Sequence, residues 1–136
     1  SYGVYVTGGY AYLGVGSSGL AIIDVSEPTN PGTPIYRDTS FDENYGVYVN
    51  EGYAYVAEGY SGLAIIDVSD PANPGTPVYR DTSGYSEEVY VTGGYAYVAD
   101  DTSGLAIIDV SDPTNPGTPV YRGTSGQGMD VYVDGD

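Results

Sequence analysis

The residues with chemistry to offer in this chain are carboxylates. Nineteen Asp and Glu stand against three Lys and Arg, a formal charge of −16 over 136 residues, with no His and no Cys. Without thiols or imidazoles there is no thiolate nucleophile, no Ser-His-Asp triad and no zinc site of the usual ligands. Oxygen chemistry remains. Asp42, Glu43, Glu87, Glu88, Asp100 and Asp101 offer the hard donors that Ca²⁺ prefers. Glu87 and Glu88 would also be the minimum pair for acid–base hydrolysis of a glycoside, but adjacent residues on a strand point to opposite faces. The expectation is a protein without catalytic residues and without an obligate cofactor, Ca²⁺ being the one ion its side chains invite. The same charge argues against nucleic acid and anionic lipid as partners. No apolar run is long enough for insertion into a membrane.

Other polar groups recur too regularly to be private sites. Turns of the form Asp-Val-Ser-Asp/Glu-Pro stand at Asp24 to Pro28, Asp67 to Pro71 and Asp109 to Pro113. Their oxygens match no Ca²⁺ loop spacing, and a turn in which the Asp side chain satisfies the backbone accounts for them. Tyr10 and Tyr12, Tyr53 and Tyr55, and Tyr95 and Tyr97 fall two apart, so each pair shares a strand face. Such rows stack on sugars or, more commonly, pack in a core. The three cations, Arg37, Arg80 and Arg122, hold one equivalent position and are expected to pair with carboxylates or lie on Tyr rings. Thr33, Thr76 and Thr118 precede Pro in Asn-Pro-Gly-Thr-Pro turns open to O-glycosylation, whereas no N-glycosylation sequon occurs.

What must position these groups is a repeat. Val-Tyr-Val begins at Val4, Val47, Val89 and Val131, a period of 42 or 43 residues. Between Gly52–Arg80 and Gly94–Arg122 only four of 29 aligned positions differ, so the units are near copies. Each reads as four short strands, in the second unit Gly46–Val49, Tyr53–Ala57, Leu63–Val68 and about Thr76–Asp81. The third strand, Leu-Ala-Ile-Ile-Asp-Val, is apolar on both faces, and with no helix to cover it the neighbouring repeat must do so. Four antiparallel strands at this period make the fold class all-β, a propeller-type tandem repeat, ahead of a β-solenoid. The units run 1–43, 44–85 and 86–127, and residues 128–136 read as the first strand of a further blade.

The stretch Gly62-Leu63-Ala64-Ile65-Ile66-Asp67-Val68-Ser69-Asp70-Pro71, preceded by Gly52-Tyr53-Ala54-Tyr55-Val56-Ala57, resembles the LVIVD repeat of bacterial and archaeal surface β-propellers. The resemblance covers the chain three times over. It implies a propeller and an extracellular or cell-surface location, and it brings no catalytic residues. The chain departs from that pattern in having no Lys and in the uniformity of its repeats.

Two functional expectations follow. In a four-stranded blade the loops that differ between repeats fall on one rim, with Glu58 and Asp130 beside the six carboxylates named above. That rim reads as solvated acidic surface, or else as a binding face for Ca²⁺, a glycan or a basic protein. The other expectation is self-association, or continuation into further repeats of the same chain. Val4-Tyr5-Val6 and Val131-Tyr132-Val133 are the same strand of successive blades, and uncovered strand edges template pairing. Structural assembly is the leading reading, and rim binding is the alternative.

Overall fold

The computed structural model describes residues 3–39 and 46–124. Asp42, Glu43, Val131, Tyr132, Val133 and the strand expected at 128–136 lie outside the described residues. Within them the chain forms three four-stranded antiparallel sheets, each a meander in chain order. The first holds β1 (Val4–Thr7), β2 (Tyr10–Gly14), β3 (Leu20–Asp24) and β4 (Ile35–Arg37). The second holds β5 (Val47–Asn50), β6 (Tyr53–Ala57), β7 (Leu63–Asp67) and β8 (Val78–Arg80). The third holds β9 (Glu88–Thr92), β10 (Tyr95–Ala99), β11 (Leu105–Asp109) and β12 (Val120–Arg122). A 3-10 turn at Gly16–Ser18 is the only helical piece among the described residues, and none of these has a helix long and apolar enough to cross a membrane.

Local chemistry sets where strands start and stop. The hairpin between β1 and β2 turns through Gly8 (φ 58°) and Gly9 (φ 82°), both left-handed as a two-residue primed turn requires. In the second blade Glu51 (φ 49°) fills the place of Gly8, a conformation that costs a side-chain-bearing residue about 1–2 kcal/mol. Glu51→Gly should therefore raise the melting temperature despite glycine's extra freedom in the unfolded chain, and a calorimetric scan would read it. The fourth strands are shorter than the sequence suggests because the preceding Pro has no N–H to give a ladder. Pairing begins only at Val78, opposite Ile65.

Packing between blades makes the core. One cluster joins Tyr12, Leu20 and Ile22 of the first blade to Val47, Val49, Ala54, Val56, Ala64, Ile66 and Val68 of the second. The next joins Tyr55, Leu63 and Ile65 to Val89, Val91, Ala96, Val98, Ala106, Ile108 and Val110 of the third. Every blade thus has a trailing face of large side chains and a leading face of Val, Ile and Ala. Four of the five β7 positions are buried because both faces are covered by neighbours. The first strands lie side by side, with the Tyr5 and Tyr48 rings 4.7 Å apart and Tyr48 and Tyr90 4.6 Å apart. Burial, then hydrogen bonds within this column, hold the Tyr48 phenol well above its usual range.

Candidate functional site

The rim of variable loops is the first place to look. The segment between β8 and β9 is stitched to loops of two blades. Ser86 and Gly59 exchange backbone hydrogen bonds at 2.9 and 3.0 Å, and the Glu87 N–H donates to the Ala99 carbonyl at 2.9 Å. Tyr85 packs edge-on against Tyr60, ring centroids 4.5 Å apart.

Asp100 holds this segment from beneath. Its Oδ1 accepts the Thr82 hydroxyl at 2.6 Å and the Ser86 hydroxyl at 2.9 Å, and its Oδ2 accepts the Gly84 N–H at 2.9 Å. Asp100 and Ser86 are wholly buried. This corrects the reading of Asp100 as a solvated or cation-binding rim carboxylate: its lone pairs point inward and are taken by the preceding loop. Glu58, at the equivalent place in the second blade, is also wholly buried, whereas the first blade has Val15 there.

The remaining rim carboxylates stay nearer solvent. Glu87, Glu88 and Asp101 are half-buried. Burial, and then the Asp101 charge, push the Glu87 carboxyl up from its usual value. Asp101 is held at φ 53° with a buried Oδ1 that finds no hydrogen-bond donor. Among the described residues no three Asp or Glu come together as a group able to hold a metal. The sequence missed Asp100 as a structural anchor, although the Thr at position 82 recurs as Thr39 and Thr124, a signal that the loop needs a fixed acceptor.

The Asp-Val-Ser turns are closed internally. Asp24 Oδ1 accepts the Ser26 N–H at 2.9 Å and hydroxyl at 2.7 Å, and Asp67 and Asp109 do the same with Ser69 and Ser111. These bonds hold all three carboxyls below their usual 3.8, the Ser26 hydroxyl leading for Asp24 and the backbone N–H for the other two. A folded pKa below the unfolded one gives stability that is present above 3.8 and lost as pH falls through the folded value. Stability should therefore decline on acidification below about pH 4. The decline should be shallow because these groups are exposed. An Asp24→Asn/Asp67→Asn/Asp109→Asn variant should flatten that limb of a melting-temperature profile.

The arginines do something else than expected. Arg37 Nη2 donates to the Pro74 carbonyl at 2.5 Å, and Arg80 Nη2 to the Pro116 carbonyl at 2.6 Å. Each cation thus clamps its blade to the Asn-Pro-Gly turn of the next, and the acceptor is a backbone carbonyl rather than a carboxylate or a Tyr face. Pro74 and Pro116 are buried and Pro31 is exposed. The Arg122 side chain is exposed.

Tyr12 and Tyr55 are 3 % and 2 % exposed, so their rings are packed and unavailable for stacking on a sugar. Burial, then Tyr53 and Glu51, push the Tyr55 phenol up to about 12. Tyr53 and Tyr55 floor a cleft of about 190 Å³ with Glu51, Val91 and Pro113, on the rim opposite the acidic loops. Thr33, Thr76 and Thr118 are exposed.

The outer faces of the row stand open. Val4 and Val6 on the leading face of the first blade are 60 % and 62 % exposed, whereas their equivalents Val47, Val49, Val89 and Val91 are 5 %, 9 %, 2 % and 2 % exposed. On the trailing face of the third blade Leu105 and Ile107 are half-buried, and Val120 is 66 % exposed. It is a sheet face, more than a ladder edge, that sets the first blade apart, since β1, β5 and β9 all lie at the edge of their sheets.

Four-stranded meander blades packed face to face, clamped blade to blade, define a propeller-type β repeat. The LVIVD repeat matches over residues 1–35, 44–78 and 83–118. The chain belongs to the LVIVD repeat family. No curated protein matches it.

Proposed function

We propose that this chain is a non-catalytic structural repeat module of the cell exterior, built to assemble with further blades of its own kind into a larger propeller, a surface array or a filament. The observation that carries the reading is the open leading face. Val4 and Val6 are 60 % and 62 % exposed at positions that other blades bury. Apolar surface of this kind gains about 25 cal/mol per Å² when covered, and the shape that covers it in the two described junctions is another blade. The lack of His and Cys and the inward engagement of Asp100 support a role without catalysis. The resemblance to surface propellers supports the location.

Light scattering on the purified chain should show association. A Val4→Lys/Val6→Lys variant should lose it while keeping its circular dichroism. A chain that stays monomeric at every concentration would contradict the proposal.

A further inference from the structure

We infer that the cleft between the second and third blades is a binding site for an alkylammonium group, whose charge is met by the Glu51 carboxylate. Every residue lining the cleft belongs to one of these two blades, so the site stands apart from whatever the blades assemble with. Glu51 is the member of the lining that the repeat does not require. The same turn carries Gly8 in the first blade and Gly93 in the third, both at φ 58°, whereas Glu51 is held at φ 49°. Left-handed backbone suits glycine and strains a residue with a side chain, and strain of this kind gathers at sites of binding or catalysis. Asn50 beside it is also particular to this blade, since the other two have Thr7 and Thr92 there. Tyr53 and Tyr55, by contrast, recur in every unit. The cleft is thus a common junction to which one blade adds a charge at a cost in stability.

The chemistry of the lining selects the ligand. Val91 and Val110 are buried and offer apolar wall, while Glu51 and Ser111 are exposed and offer oxygen. The Ser111 hydroxyl spends its one proton on Asp109 Oδ1 at 2.7 Å, so its oxygen is left to accept. Burial, then Tyr53 and Glu51, push the Tyr55 phenol up to about 12, so at neutral pH this group is an uncharged hydroxyl. No Lys or Arg lines the cleft, and an anionic ligand would meet the Glu51 charge without compensation. One carboxylate is too few for Ca²⁺, which takes six to eight oxygens. A sugar finds no open face on Tyr55, whose ring is 2 % exposed. A short apolar stem ending in N–H donors and a positive charge fits what remains. At about 190 Å³ the cleft falls below the roughly 300–1,000 Å³ of sites for drug-sized molecules, which suits a chain of a few carbons and its ammonium head.

The test titrates n-butylamine, n-butanol and lysine blocked at both its amino and carboxyl ends into nitrogen-15-labelled chain at neutral pH, read by amide chemical shifts. Butylamine should bind with a Kd of about 1 mM and move the amides of Asn50, Glu51, Gly94 and Ser111, which line the cleft. The amides of Glu87 and Asp101, on the other rim, should stay in place. Butanol has the same stem without the charge and should bind about tenfold more weakly or worse. Glu51→Gly, the change expected to raise the melting temperature, should lose butylamine by about tenfold or more, and Glu51→Gln should do the same with the side-chain shape kept. Added salt should weaken the butylamine complex. Tighter binding of butylamine than of blocked lysine would support the site and make a free amine its ligand; the reverse order would support it and make a partner's lysine side chain the source. Butanol bound as tightly as butylamine, or a folded Glu51→Gly or Glu51→Gln chain that binds butylamine as before, would overturn the inference. So would shifts centred on the acidic rim, the mark of adventitious pairing with a chain of charge −16.

Discussion

Replacing Asp100 with Ala should cost about 3 kcal/mol or more, among the largest losses available to one side chain in this protein. Three donors converge on that carboxylate: the Thr82 hydroxyl, the Gly84 N–H and the Ser86 hydroxyl, at 2.6 to 2.9 Å. Ser86 is wholly buried. With the carboxylate gone the Thr82 and Ser86 hydroxyls, 2.9 Å apart, can satisfy only one of their two protons on each other. That leaves the other hydroxyl and the Gly84 N–H short of the acceptor they had. A chain of this size loses roughly 4 °C of melting temperature per kcal/mol, so the midpoint should fall by about 10 °C or more. Hydrogen exchange should quicken first at the Gly84 and Ser86 amides, because neighbouring blades fail locally before the array fails as a whole. Asp100→Asn should cost about half as much, since one of its two positions becomes a donor facing donors. The neighbouring Asp101→Gly change should go the other way or do little. It relieves a side chain held at φ 53° and removes a charge beside Glu87. Were the two substitutions to cost the same, Asp100 would not be the anchor described here.

That contrast marks where the sequence can be read and where it cannot. Strands announce themselves through alternation: Tyr53–Ala57 has the bounds expected from its pattern, and the doubly apolar Leu63–Asp67 strand is covered on both faces by neighbours. A meander repeated at a fixed period leaves little freedom in topology. Loop carboxylates are another matter. Nothing in the letters Asp100-Asp101 says that the first turns in beneath Gly84 while the second sits at positive φ. The difference arises from a loop that precedes Asp100 by more than a dozen residues. Arg37 and Arg80 were legible as structural, because they recur, but not in their partner. A recurring cation suggests a recurring anion, and backbone carbonyls leave no mark in the sequence.

Gly62→Ala should be among the most damaging glycine substitutions of the middle blade. Gly62 has φ +83°, and a Cβ there would run into the Arg80 carbonyl and lie 2.8 Å from both Asp81 Cα and Thr82 N. Relief is not cheap, because Leu63 begins β7 and Arg80 ends β8, and the two are directly paired. Gly62 also accepts the Glu58 N–H at 2.8 Å and donates to Gly59 at 3.1 Å, so its own backbone is pinned on the loop side. Positive φ costs a non-glycine residue about 1–3 kcal/mol before any clash; with the clash the loss should reach about 4 kcal/mol or more. Gly93 is the control. At φ +58° with nothing within 4 Å of its Cβ position, Gly93→Ala should cost only about 1–2 kcal/mol. Denaturant midpoints of the two variants should separate accordingly. The damage should also spread beyond one hairpin. Displacing the end of β8 displaces Arg80, and with it the clamp to Pro116 that holds the third blade. A Gly62→Ala chain as stable as Gly93→Ala would mean that the loop does not rest on the fourth strand, and that blade-to-blade clamping starts elsewhere.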